Sequence, residues 1–144
     1  YSYSGVNKLE GYKDALKSKG ITPSDELIRQ CPKDIEAARE LMLSLHREGL
    51  EFDAVITSDD SLAVGAVKYA HIADISIPRD LSIIGYNNSL LARCTDPEIT
   101  SIDSKVEALC TTTINTLMGV FSGVNVPSRT TIASDLIKRK TTNF

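Results

Sequence analysis

Two short, mostly apolar runs constrain the fold of this chain more than any other feature: Asp53-Ala54-Val55-Ile56-Thr57 and Leu81-Ser82-Ile83-Ile84-Gly85-Tyr86. A strand with one face in water alternates apolar and polar side chains. A near-continuous apolar run fits a strand covered on both faces, as in parallel sheets wrapped by helices. Helical spacing fills the stretches between and around these runs. Val6 to Gly20 places Leu9, Tyr12 and Leu16 on one side, with Gly20 suited to the position just past a helix end. Asp34 to Glu48 aligns Ile35, Ala38, Leu41, Met42 and Leu45 before Gly49 stops it, and a third helix runs from Ser61 to about Ala73 with Asp60 or Ser61 as its N-cap. Lys105 to Phe121 is the fourth long helix. Glu26 to Gln30 reads as a short strand, Ile99 to Ile102 as a short strand or extended crossover, and Arg129 to Arg139 as a terminal strand. Strand and helix alternate, which predicts an α/β domain: a doubly wound, mainly parallel sheet flanked by helices.

The length of 144 residues suits a single hydrophobic core. A formal net charge of −3 argues against nucleic-acid binding by this piece, because such modules carry a basic stripe. The one basic cluster, Lys138-Arg139-Lys140, reads as a solvated strand end. Cys31, Cys94 and Cys110 are odd in number and form no C-x-x-C pair, which fits reduced thiols in a cytoplasm better than disulfides or a zinc site. No apolar run reaches the roughly 18–20 residues that span a bilayer, so no membrane partner is expected. Enzyme templates fit poorly. G-x-S-x-G, the P-loop and G-x-G-x-x-G are all missing, and His46 and His71 have no metal-ligand partner at useful spacing. No catalytic residue, metal site or cofactor is expected.

In open α/β sheets, ligands bind beyond the carboxyl ends of the strands. That rule marks Thr57-Ser58-Asp59-Asp60 after the first run and Asn87-Asn88-Ser89 after the second. A carboxylate accepts only, whereas an amide both donates and accepts, and sugar hydroxyls need that mixture. Each cluster also has a plainer reading. Asp60 and Ser61 cap the following helix, which is the main role expected for Asp60, and Asn87-Asn88 form a turn in the left-handed region. A phosphotransfer receiver would also place acidic residues at a strand end, but Asn87-Asn88 supplies neither the third carboxylate nor the lysine that such a site requires.

At this point the residues themselves resemble a family. Asp53 to Ala66 is similar to the "A-N-D-x-M-A-L-G-A" segment of lactose- and galactose-repressor-like (LacI/GalR) transcriptional regulators. Ile77 to Asn88 is similar to their "V-P-x-D-v-S-v-V-G-Y/F-D-D" segment, and Pro97 to Ile102 to their "P-x-L-T-T-I" crossover. Lys8-Leu9-Glu10-Gly11-Tyr12 resembles "R-L-x-G-F/Y", and Leu136 to Thr142 resembles the final strand. These blocks stand in the family's order across essentially the whole chain.

The resemblance implies a periplasmic-binding-protein-like (type I) fold. Residues 1–144 would be the C-terminal effector-binding and dimerisation subdomain, and the helix at 105–122 would belong to the N-terminal subdomain of the intact protein. It implies a small-molecule effector, a carbohydrate by class, gripped by Lys8, Asp59 and Asn87. Lys8 stands where the family has Arg, Asn87 where it has Asp, and Asp59 where it often has Asn or Thr. It further implies a homodimer through Val64, Val67, Leu90 and Leu91, although Val64 and Val67 fit ordinary core equally well. DNA would be reached only through a domain outside this chain. A periplasmic sugar-binding protein of an uptake system shares the fold and is the alternative. The apolar residues Val106, Leu109, Ile114, Leu117, Val120 and Phe121 are expected to fold back onto the domain or to pack against another chain.

Overall fold

In the computed structural model, which describes residues 3–144, helices and strands alternate as the sequence pattern predicts. The elements are α1 (Tyr3–Ser18), α2 (Ile35–Arg47), β1 (Ala54–Ile56), α3 (Asp60–Ile72), β2 (Ser82–Tyr86), the short α4 (Leu90–Arg93), β3 (Thr100–Asp103), α5 (Val106–Phe121) and β4 (Asp135–Ile137). The four strands form one sheet in chain order. β1, β2 and β3 are parallel and β4 pairs antiparallel with β3, giving a mixed, mostly parallel sheet flanked by helices.

Two of the expected strands differ from the observed ones. Glu26 to Gln30 is not a strand: Asp25–Leu27 is a 3-10 turn, and no strand among the described residues pairs with the extended backbone that follows. Extended backbone becomes a strand only when a neighbour takes its N–H and C=O groups, and β1 leaves its outer edge unpaired. The terminal strand is also shorter than Arg129 to Arg139. Only Asp135–Ile137 joins the ladder, because the residues after it leave the β3 edge to plug the core. Thr141 is fully buried there; its hydroxyl accepts from Thr100 N–H at 2.9 Å and donates to the Ile83 carbonyl at 2.6 Å. Thr142 shares a 2.8 Å hydroxyl contact with Thr100.

The core lies between α2, α3 and the sheet: Met42, Ala63, Ala66, Val67, Tyr69, Ala70, Leu81, Ile83, Ala92 and Ile99. Alanine and glycine on α3 let the helix axes approach closely. A methyl group added at Gly65 would stand 2.6 Å from both the Ala38 Cβ and the Ile35 carbonyl, so only glycine fits that crossing. Tyr69, 2% exposed, keeps its hydroxyl satisfied against His46 Nδ1 at 3.0 Å. The N-cap of α2 is Asp34, which accepts from Ala37 N–H at 2.9 Å.

The apolar face of α5 does not fold back. No residue of this helix is buried, and Leu109, Ile114, Leu117, Met118 and Phe121 are all exposed. The half-buried positions of the helix are instead Thr112, Thr116 and Gly119, with Gly119 against Val126. Among the described residues, no helix is long and apolar enough to cross a membrane.

Candidate functional site

The carboxyl ends of β1 and β2 bring the two predicted polar clusters together. Asp59 follows β1 and is the N-cap of α3, its Oδ1 accepting from Ser61 N–H at 3.0 Å and from the Ser61 hydroxyl at 2.7 Å. Asn87 follows β2 and donates from Nδ2 to Asp59 Oδ2 at 2.8 Å. Both Asn87 (φ 99°) and Asn88 (φ 50°) occupy the positive-φ region that asparagine tolerates better than most residues. Asn87 therefore takes the left-handed conformation that the plainer reading expects and also lines the cleft.

Asp60 is not the helix cap. It is the first residue of α3 and only 1% exposed, with one oxygen accepting from Ser89 N–H and the other from the Ser101 hydroxyl, both at 2.6 Å. It ties α3 to the ends of β2 and β3. Gly85 has to be glycine because a Cβ there would collide with the Asp60 carboxylate. Capping falls to Asp59 because its extended backbone (φ −159°, ψ 150°) aims the carboxylate back at the first turn.

Lys8 reaches the same place from α1. Its Nζ donates to the Ser58 carbonyl at 2.9 Å and sits 3.5 Å from the centre of the Tyr86 ring, a cation–π distance. Lys33, on the loop before α2, pairs its Nζ with Asp59 Oδ2 at 2.6 Å. Lys8, Lys33, Ser58, Asp59 and Asn87 line a cleft of about 350 Å³, whose wall also includes Cys31 and Leu62. That volume is near the lower end of the ~300–1,000 Å³ range of small-molecule sites. A second, wider hollow at the opposite end of β1 is walled only by Glu51, Phe52 and Asp53, where no donor–acceptor cluster converges.

The electrostatics follow from this geometry. Burial by itself would raise the Asp59 carboxyl, but hydrogen bonds from Lys33 and Ser61 outweigh it and hold the group below the usual carboxylate range. Burial lowers the Lys8 ammonium, with Asp59 opposing and Lys33 reinforcing the shift. Burial and then the Asp34 carboxylate push the Cys31 thiol up, which disfavours the nucleophilic thiolate. Among the described residues, no group of three or more His, Cys, Asp or Glu side chains is arranged to hold a metal ion.

The structure thus gathers Lys8, Asp59 and Asn87 around one cleft together with Ser58 of the first marked cluster, and adds Lys33 on its wall and Tyr86 against Lys8, which the sequence reading missed. Lys33 carries no local signal, being a lone lysine beside Pro32 far from the other site residues in sequence. Tyr86 could have been found, since it ends β2 directly before Asn87. Elsewhere, Val67 is 3% exposed within the core and Val64 packs partly buried against it, whereas Leu90 and Leu91 are 67% and 39% exposed on α4. Arg139 is no solvated strand end either, because its guanidinium donates to the Ile99 carbonyl at 2.7 Å and to Asn88 Oδ1 at 2.5 Å.

A mostly parallel sheet with a polar cleft at its strand ends defines an α/β ligand-binding domain. Residues 3–142 match the periplasmic binding protein-like domain, and the chain belongs to that family in the form found in LacI/GalR-type regulators. It is 52% identical over 143 residues to an HTH-type transcriptional regulator of Lachnoclostridium phytofermentans, covering 99% of this chain and 43% of that protein. It is 29% identical to the HTH-type transcriptional regulator AscG of Escherichia coli, over 96% of this chain and 41% of the relative. Among solved structures it is similar to a sugar-binding transcriptional regulator (LacI family) from Escherichia coli complexed with phosphate. The TM-score is 0.89 at 28% identity, over 97% of this chain and 50% of that one. The chain therefore spans half or less of the length of these relatives.

Proposed function

We propose that this chain is the effector-sensing and dimerisation part of a DNA-binding transcriptional regulator, and that its effector is a carbohydrate held by Lys8, Asp59 and Asn87. One observation carries the reading: an ammonium, a carboxylate and an amide from three separate parts of the chain meet in one cleft at the carboxyl ends of β1 and β2. That set offers donors and acceptors side by side, as a polyhydroxylated ring requires. It holds no activated nucleophile, which supports a binding role over an enzymatic one. The similarity to HTH-type transcriptional regulators and to a LacI-family regulator described as sugar-binding supports a regulator rather than an uptake protein and hence a cytoplasmic setting.

In this reading α5 belongs to a second subdomain, and its exposed apolar side is the surface that the subdomain covers. Closure of the two subdomains on the effector alters the spacing of DNA-binding heads outside this chain. Leu90 and Leu91 are the dimer contacts with area to offer a partner, Val64 contributes an edge, and Val67 acts from the core beneath. Calorimetric titration of a panel of sugars into the full-length protein tests the assignment. At least one sugar is expected to bind, with affinity falling about tenfold or more in each of Lys8→Ala, Asp59→Ala and Asn87→Ala. Binding by no sugar overturns the reading. Sedimentation of Leu90→Asp tests the dimer surface, which predicts a shift toward monomer.

A further inference from the structure

We infer that the effector carries an anionic group, a phosphate or a carboxylate on the sugar, and that Lys8 together with Lys33 receives it. This rests on the carbohydrate reading above and narrows its ligand class.

Charge bookkeeping in the cleft points that way. The ionic side chains lining it are Lys8, Lys33 and Asp59. Asp59 is already committed on both oxygens: Oδ1 to the N–H and hydroxyl of Ser61, Oδ2 to Lys33 and Asn87. Its negative charge is offset by the Lys33 ammonium and by the positive end of α3, which it caps. Lys8 is compensated only from a distance: Asp59 favours its ammonium, but no carboxylate lies within 4 Å of its Nζ among the described residues. It rests on neutral partners only, the Ser58 carbonyl and the Tyr86 ring. A half-buried ammonium in contact with no carboxylate, facing a cleft whose carboxylate is occupied, is a standing demand for an anion. Lys33, exposed along most of its length, can swing from Asp59 to share the same anion.

Asn87 points the same way. A carboxylate at this position would stand against Asp59 and add a second negative charge; the amide instead donates to Asp59 and leaves the cleft with net positive charge.

The test uses the full-length protein and a matched panel: neutral hexoses, their 6-phosphates and the corresponding hexuronates, each titrated by calorimetry at low and high salt. At least one phosphate or uronate is expected to bind about tenfold or more tightly than its neutral parent, with the advantage shrinking as salt rises. The two anionic arms identify which group is recognised. Lys8→Met and Lys33→Met are expected to cost the anionic ligand about tenfold more affinity than they cost its neutral parent, which erases the preference, and Lys8→Arg is expected to keep it. Neutral hexoses binding as tightly as every anionic counterpart would overturn this inference and leave the carbohydrate reading intact. Binding by no member of the panel overturns both.

Discussion

Helices α3 and α5 have similar lengths and are both rich in apolar residues, yet they occupy opposite extremes of burial. α3 places Ala63, Ala66, Val67, Tyr69 and Ala70 in the core, while α5 buries nothing and leaves Leu117 46% and Phe121 74% exposed. Apolar content is therefore a poor guide to which helix is held by this chain. Small residues let α3 press against α2, and its first turn is anchored to the strand ends by Asp59 and Asp60. α5 is held at its entry, where Lys105 adopts a left-handed backbone and pairs with Asp135 at 2.6 Å, and near its end, where Gly119 lies against Val126. Its large side chains have no opposing surface. Burying each would be worth about 1.5–3 kcal/mol, so the helix carries a deficit that the chain does not itself repair.

The contrast can be broken or sharpened by substitution, measured as chemical unfolding of the chain. The largest effect is expected for Ile83→Ala beneath α3, at about 2–5 kcal/mol, because Ile83 is fully buried and the cavity cannot be filled. Asp60→Ala follows at about 2–3 kcal/mol, since it strands Ser89 N–H and the Ser101 hydroxyl without their acceptor. A loss below 1 kcal/mol would show that other groups or water take over as acceptors for both donors. Gly65→Ala is expected to cost about 1–3 kcal/mol by forcing α2 and α3 apart, with a lowered thermal midpoint as readout.

Asp59→Asn isolates charge from capping, because asparagine caps a helix about as well as aspartate. Its cost at neutral pH should be about 1 kcal/mol, given how exposed Lys33 is. The folded carboxyl titrates below its ordinary value of about 4, so its contribution is complete above that pH and is lost as pH falls through the lower folded value. Wild type should therefore show a steeper acid unfolding limb than Asp59→Asn, and superimposable limbs would remove Lys33 and Ser61 as the cause. Smallest of all is Leu117→Ala on α5, within about 0.5 kcal/mol in this chain. The same change should exceed about 2 kcal/mol in the full-length protein if a second subdomain covers the helix.

Much of the site was legible as type and position but not as pairing. Asp59 and Asn87 read from the sequence as two separate polar residues, each following its own apolar run. In the structure they are one pair, the Asn87 amide donating to the Asp59 carboxylate across 2.8 Å. Had Asn87 been aspartate, Asp59 would have faced a like charge. The adjacent carboxylates Asp59 and Asp60 were legible as acidic residues at a strand end, but the cap falls on Asp59 and not on Asp60, because capping depends on backbone angles at one residue and a spacing rule cannot tell neighbours apart. Lys33 was invisible because nothing local marks a surface lysine whose partner is distant in sequence.

Sequence by itself determined the local elements: apolar runs specify β1 and β2, helical spacing specifies α2 and α3, and Asp34 and Gly49 set where α2 begins and ends. These follow from backbone periodicity and capping, which act over a few residues. Only the tertiary structure decided what depends on a neighbour. It left the extended backbone after Ile28 without a ladder, turned the end of the chain inward at Thr141, and joined Lys33 to Asp59. Whether a helix is buried belongs to the same class. An apolar face states a need for cover, and only the packing of the rest of the fold answers it.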